Sequence, residues 1–414
     1  MFLIYQVLLT LIILISPLII FIRVLKNKED KKRVLEKFCL KSKKRAKGKL
    51  IWFHGSSVGE IMSIIPLVHY YEKEKSINKI LITSSTLSSS KILDRFNLKK
   101  TIHQFYPIDH LLITRKFINY WKPCIAIFID SEIWPSMFKT IRKREIPLIL
   151  LNARITKKTF RRWIKFKNFS NSIFNNISSA YPQNKETESY LKKLKPNSIN
   201  SLGNLKFIKN NLDNNNLDNL GLKFRNFKVW VAASTHKGEE IFCAKAHIKL
   251  KKTKKNLITV IIPRHINRVN EIISEMNKLN LKTVLHSSRI KNLENIDIYI
   301  VNTFGDSKKF YKIAATVFLG KSLTIKGGQN PLEAVHYNAK IIHGPYVDNF
   351  KDVYKLLKNL DASKKIKNIH QLALNISFKK NIKIGNKLKK TGKTILKKTI
   401  NEINKFISDE VKKT

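Results

Sequence analysis

The strongest constraint on what this chain can fold into is a rhythm of short apolar runs, each closed by a Gly, Ser or Asp turn and followed by a longer amphipathic stretch. Residues 50–53, 80–83 and 125–129 form one series, and 229–233, 257–262, 298–301, 317–319 and 341–342 form a second. Runs that stay apolar on consecutive residues suit strands covered on both faces, and the helical stretches between them suit crossovers. The pattern therefore predicts an α/β chain with two doubly wound parallel sheets. Between the series, residues 209–220 hold Asn, Asp and isolated leucines, a composition expected of a solvated linker. The expected organisation is an N-terminal anchor 1–22, a basic juxtamembrane segment 23–49, a first domain 50–208, a linker 209–227 and a second domain 228–414. Residues 379–414, Lys-rich with Ile and Leu at helical spacing, read as a solvated amphipathic helix.

Residues 2–22 are apolar and uncharged, interrupted only by Gln6, Thr10, Ser16 and Pro17. As a helix they reach across about 30 Å of hydrocarbon. The following 23–49 segment holds 13 Lys and Arg against 3 Asp and Glu, a bias that places this flank, and the body after it, on the cytoplasmic side. A cleaved signal peptide would carry its charges before the apolar stretch and a small-residue cleavage site after it, and neither is present. An interfacial helix would gather its apolar residues on one face, and here they run all round. Whether the segment spans the bilayer or lies on it stays open. Cys39, Cys124 and Cys243 are odd in number and widely spaced, which fits a reducing compartment without disulfides or a zinc site.

The net charge of +51 sits on a chain that is 43% hydrophobic, which excludes a disordered basic tail and points to an anionic partner. Nucleic acid, an acidic membrane and an acidic substrate all fit the charge. The strand-end turns discriminate better, because ligands of open α/β sheets bind beyond the carboxyl ends of the strands.

In His54-Gly55-Ser56-Ser57-Val58-Gly59-Glu60, a strand runs through a Gly/Ser turn into a helix. Glu60 is placed to take a proton from a hydroxyl, yet Ser57-x-x-Glu60 equally satisfies a capping box. The two readings are compatible. Asp130-Ser131-Glu132-Ile133-Trp134-Pro135 ends another strand, with Asp130 a candidate N-cap and Trp134 a candidate core residue. Arg154, after Asn152-Ala153, is an anion ligand or a salt-bridge partner. In the second series, residues 232–240 follow one strand and Pro263-Arg264-His265 another, and an Arg fixed at a strand end suits phosphate. Gly305-Asp306-Ser307 closes a third. In Gly327-Gly328-Gln329-Asn330-Pro331-Leu332-Glu333, Asn330 reads as an N-cap with Pro331 at the first helical position, a turn suited to phosphate, while Glu333 either binds a ribose or caps. Together these turns point to a nucleotide.

In order and spacing these motifs resemble the bacterial 3-deoxy-D-manno-octulosonic acid (Kdo) transferase family, which moves Kdo from CMP-Kdo to a lipid A precursor. The resemblance covers nearly the whole chain. It implies a GT-B architecture: two Rossmann-like domains facing across a cleft, the first binding acceptor and the second the CMP-sugar, with an N-terminal membrane-anchor helix. Glu60 matches the family's catalytic base; Glu132 and Lys206, the latter within Leu202-Gly203-Asn204-Leu205-Lys206-Phe207, match positions that stabilise the transition state. Pro263, Arg264, the Phe304-Gly305-Asp306 turn, Asn330, Pro331, Leu332 and Glu333 match the CMP-binding positions. Lys321 and Gln329 stand where the family more often shows Gly and His.

The expectation is an inverting glycosyltransferase of lipopolysaccharide inner-core biosynthesis, held by one N-terminal anchor at the cytoplasmic face of the inner membrane. It needs no metal or other cofactor. Its partners are CMP-Kdo, the lipid A precursor and an anionic membrane surface. The alternatives are a GT-B transferase using another nucleotide sugar and a membrane-tethered nucleic-acid-binding protein. Against the latter, the lysines are scattered rather than interleaved with stacking aromatics along one groove.

Overall fold

The computed structural model describes residues 1–40, 42–45, 47–208, 219–288 and 292–411. Two compact units divide the chain: 1–210 with 392–414, and 211–391. Each is built on one parallel sheet with helices as crossovers.

The first sheet contains β1 (Leu50–His54), β2 (Lys79–Ser84), β3 (Thr101–Phe105), β4 (Ile125–Ile129), β5 (Leu148–Ala153) and β6 (Ser179–Pro182), in the order β3-β2-β1-β4-β5-β6. β1 is central because all five of its residues are buried, as an Ile-Trp-Phe run requires. The indole of Trp52 packs between Phe117 and Phe128, each ring centroid 5.0 Å away. The chain winds outward from β1 to β3 and then returns to the far side of β1 for β4. That reversal opens a crevice at the carboxyl ends of β1 and β4.

The second sheet contains β7 (Lys228–Thr235), β8 (Leu257–Pro263), β9 (Thr283–Leu285), β10 (Ile298–Ile300), β11 (Thr316–Leu319), β12 (Lys340–His343) and β13 (Ser363–Lys365), in the order β13-β12-β11-β7-β8-β10-β9. Its reversal lies between β7 and β11. Every apolar run singled out in the sequence falls on a strand, and each series forms its own sheet. The four edge strands, β3, β6, β9 and β13, carry no such run. β13 is Ser-Lys-Lys with both lysines exposed, a composition that blunts an open edge rather than fills a core.

Helix Phe2–Leu25 is long and apolar enough to cross a membrane. The basic segment after it is packed rather than simply solvated. Glu29 holds Arg23 and Lys37 at 2.8 and 2.7 Å, and buried Glu36 takes both Arg33 and the Phe105 N–H of β3. Of the linker expected over 209–227, residues 209–218 lie outside the described residues, and the rest begins with the short helix Asn219–Lys223.

The C-terminal helix Ile382–Val411 differs from expectation in two ways. The second domain expected over 228–414 stops short of this end, because residues from Gly392 onward group with the first unit. Nor is that end simply solvated. Thr399 and Ile403 are buried, Asn404 accepts from the Tyr71 hydroxyl at 2.9 Å, and Glu402 accepts from Tyr181 at 3.0 Å. Its Ile spacing was legible as an amphipathic face, but periodicity does not say which surface receives that face. Ile403→Ala should therefore destabilise the first unit by about 2–5 kcal/mol, as for other buried truncations. Urea unfolding checks this, and a solvated helix would lose no more than about 0.5 kcal/mol.

Candidate active site

In the first unit the residues at the carboxyl ends of β1 and β4 converge. Helix Val58–Lys73 starts with a complete capping box: Ser57 Oγ accepts from Glu60 N–H at 3.3 Å, and the Glu60 carboxylate accepts from Ser57 N–H at 3.4 Å. The same carboxylate takes the Ser56 N–H at 2.7 Å and the Ser57 hydroxyl at 2.9 Å. Glu60 thus does cap, and remains half-buried with its acid group at the strand end. Burial raises its carboxyl to about 7, helped by the neighbouring charges of Glu132 and Asp130 and opposed by the Ser57 and Ser56 hydrogen bonds.

Glu132 is the counterpart. Burial alone would raise its carboxyl, but donors from His54, Ser56 and Trp134 hold it below the ordinary value. All three meet Oε2, at 3.1, 2.7 and 2.9 Å. Ser56 therefore bridges the pair, giving its N–H to Glu60 and its hydroxyl to Glu132. Two carboxyl groups are pushed apart, one ionised and one poised near neutrality, the usual signature of divided acid–base roles.

His54 is fully buried, which lowers its pKa and keeps the ring neutral. A neutral imidazole has one N–H, and a carboxylate can only accept, so that proton sits on Nε2 facing Glu132. Nδ1 then accepts from the Thr83 hydroxyl at 2.9 Å, while Thr83 Oγ1 accepts from the Trp52 indole N–H at 2.9 Å. The relay Trp52–Thr83–His54–Glu132 fixes the tautomer from inside the sheet. Sequence reasoning missed Thr83, whose only signal was its place at the end of β2.

Lys206 lies 3.4 Å from Asp130, so the structure brings it to the β4 end through that carboxylate. Asp130 takes a left-handed backbone, φ +61°, and is not an N-cap. The helix Pro135–Lys143 is capped instead by Asp109, which accepts from Ser136 and Met137 N–H at 2.9 and 2.8 Å. Trp134 packs against the core from its margin, partly buried beside Tyr106, with its indole N–H committed to Glu132. Ser131 Oγ donates to the Arg154 carbonyl and Arg154 N–H to the Asp130 carbonyl, so Arg154 enters this strand end through its backbone.

In the second unit the turns after β7 and β11 are organised by Glu239. This wholly buried carboxylate accepts four backbone N–H groups, from His236, Lys321, Ser322 and Leu323, at 2.8–3.0 Å. Gly320 passes so close that a Cβ there would lie 2.4 Å from the Ser234 carbonyl and 2.6 Å from Glu239 Oε2. Lys321, where the resembling family more often shows Gly, has φ +56°, a backbone that Gly adopts without strain and Lys does not. Pro263 ends β8 buried, and Arg264 is exposed with its N–H on the Thr235 carbonyl at 3.0 Å.

The remaining sequence-assigned positions are less gathered. Phe304 is 86% exposed, Gly305 takes φ +89°, and Asp306 is engaged by Thr303 and by Lys309 at 3.0 Å. Asn330 Oδ1 accepts the Leu332 N–H at 3.1 Å from one residue before the cap: the N-cap of the helix Leu332–Val335 is Pro331, not Asn330, and Pro331 is therefore not the first helical residue. Leu332 is buried, and Glu333 is exposed without a capping bond. The Gln329 carbonyl accepts from the Tyr354 hydroxyl at 3.1 Å.

A family model described as 3-deoxy-D-manno-octulosonic-acid transferase (kdotransferase) matches residues 32–209. The chain is 35% identical over 370 residues to a 3-deoxy-D-manno-octulosonic acid transferase of Rickettsia bellii, covering 89% of this chain and 88% of that one. To the transferase of the same description from Haemophilus influenzae it is 28% identical over 316 residues, 74% of this chain and 73% of that one. A solved glycosyltransferase of Rickettsia africae, 14% identical, shares the fold with a TM-score of 0.57 over 87% of this chain and 99% of that one.

The close approach at Gly320 gives a direct test of the second unit's architecture. Gly320→Ala is expected to destabilise by about 1–3 kcal/mol, as overpacking usually does, read as a lowered urea midpoint.

Proposed function

The chain belongs to the 3-deoxy-D-manno-octulosonic acid transferase family, and from that membership we propose that this glycosyltransferase moves Kdo from CMP-Kdo to a lipid A precursor with inversion. The observation that carries the mechanism is the carboxyl pair at the ends of β1 and β4. Glu60, titrating at about 7, is suited to accept the proton of an acceptor hydroxyl, and Glu132 stays ionised beside it. The acceptor oxygen bonds to the anomeric carbon of Kdo as the bond from that carbon to the phosphate oxygen breaks. The bonding pair leaves with CMP.

In the transition state positive charge gathers on the sugar ring and negative charge on the departing phosphate. Glu132 is suited to the first and Lys206 to the second. Donor binding is assigned to Pro263, Arg264, Phe304, Gly305, Asp306, Asn330, Pro331, Leu332 and Glu333. The side chain of Arg264 supplies the charge for the phosphate, and the exposed ring of Phe304 an apolar surface for the base. The Lys321, Ser322 and Leu323 N–H groups are already committed to Glu239, so they shape the turn rather than bind the anion. The proposed location is the cytoplasmic face of the inner membrane, through the helix Phe2–Leu25 and the basic residues that follow it.

Glu60→Gln should retain CMP-Kdo binding and lose transfer by about two to four orders of magnitude, the usual contribution of a general base. Near-normal turnover of labelled Kdo would refute the assignment, and a thermal shift with UDP or GDP in place of CMP would refute the donor. A base works deprotonated, so kcat/KM of the parent enzyme should rise as pH passes through about 7 and then level. Stability runs the other way. A carboxyl raised by folding contributes stability below its unfolded value and loses it as pH climbs through about 7. Above pH 7 the Gln variant should therefore melt no lower than the parent in differential scanning calorimetry.

A further inference from the structure

We propose that the helix Phe2–Leu25 lies along an anionic phospholipid bilayer surface, one face docked on the first unit and the other in the lipid, instead of crossing the membrane. The proposal rests on the membrane location proposed above and concerns how the chain meets it.

The helix hides one row of its side chains and exposes the rest. Those at least partly buried form a single stripe from one end to the other, beginning at Phe2, Tyr5 and Leu9 and ending at Ser16, Ile20 and Val24. These residues recur at three- and four-residue steps, the spacing of one helix face. The opposite face is bare, with Leu3 77% and Leu14 71% exposed. An apolar circumference argues against an interfacial helix that lies alone on a bilayer, but it is what a helix needs if one side meets protein and the other lipid.

Specific polar bonds hold the stripe. The Tyr5 hydroxyl donates to buried Asp109 at 2.7 Å, and Gln6 Nε2 donates to Ser136 Oγ at 2.7 Å. Gln6 Oε1 accepts the Leu111 N–H at 3.0 Å, Thr10 meets His110 at 3.3 Å, and the Lys139 ammonium sits 4.3 Å above the Phe2 ring. Tyr5 and Leu25 are about 30 Å apart along the axis at 1.5 Å per residue. A spanning helix with its basic flank inside would carry Tyr5 and Gln6 to the far side of the hydrocarbon, away from every one of these partners. Docking and spanning are therefore mutually exclusive.

The surface beside the docked turns has the chemistry of a headgroup layer's partner. Tyr5 packs on Phe169, ring centroids 6.5 Å apart, and Phe169 on Trp163 at 6.3 Å. Trp163 belongs to the helix Lys157–Lys165, whose Lys157, Lys158, Arg161, Arg162 and Lys165 line one surface hollow. Ile164 and Phe166 beside them are exposed, as is Leu112 next to the Gln6 contact. Cations interleaved with exposed apolar side chains, continuous with a bare apolar helix, match an anionic bilayer interface.

The full chain, with a short polar extension carrying one cysteine before Met1, is expressed in bacteria and treated with a membrane-impermeant maleimide. Intact spheroplasts should label no more than the chain without the extension, and lysed ones should label at the added cysteine. Labelling from outside would overturn the proposal. Recovery of the chain in the soluble fraction would overturn the membrane location itself, and the proposal with it. In a second measurement, Lys157→Gln and Arg161→Gln should weaken co-sedimentation with phosphatidylglycerol vesicles on the order of fivefold per cation. Binding to phosphatidylcholine vesicles and the thermal midpoint should be unchanged. Equal binding of both variants and parent to anionic vesicles would also refute the docking surface.

Discussion

A carboxylate kept ionised away from water needs donors in place of its hydration shell, and Glu132 finds three on a single oxygen. Each donor comes from a different piece of the first unit: His54 ends β1, Ser56 begins the turn after it, and Trp134 precedes the helix that follows β4. They meet only because the chain leaves β1 for β2 and β3 and returns beside β1. The sheet order is thus the condition for the charge, and the charge is a condition for Glu60, whose acid group is raised in part by it. Behind them the Trp52–Thr83–His54 relay runs through the sheet interior, so the orientation of the imidazole is set by wholly buried residues.

The second unit meets the same requirement by another route. Glu239 is enclosed with no cationic partner among its hydrogen bonds, and four backbone N–H groups compensate it. Backbone donors survive any side-chain substitution short of proline, and they position the chain that supplies them. The turn after β11 is folded around this carboxylate. The near approach of Gly320 to Glu239 and the left-handed backbone of Lys321 follow from that folding.

Much of this was legible in the sequence. Strands buried on both faces announce themselves as unbroken apolar runs, and the turns after them as Gly, Ser and Asp clusters. The edge strands were silent, because an edge is stabilised by one neighbour and tolerates Ser, Lys, His and Gln. Glu60 was visible, as were Glu132 and Lys206 through family resemblance. Their partners were not, since His54 and Glu132 lie 78 residues apart and Thr83 and His54 lie 29 apart. The terminal helices make the same point about faces. Ile spacing in 379–414 and the apolar run 2–22 state how much surface must be covered, while the covering surface is set by tertiary structure alone. Asp109 caps a helix that begins 26 residues later, a pairing no local capping rule can find.

Glu60 shows why a capping residue and the proposed base need not be alternatives. The Ser56 and Ser57 donors favour the charged carboxylate, while burial and the adjacent charge of Glu132 favour the neutral acid. Without the cap, burial and Glu132 would push the carboxyl higher still, towards the neutral acid. Without burial and Glu132, the cap would favour the charged form alone and leave a weaker base. The two sets of forces meet at about 7. A local motif that serves only to start a helix elsewhere here supplies one side of the balance that sets the Glu60 carboxyl at about 7.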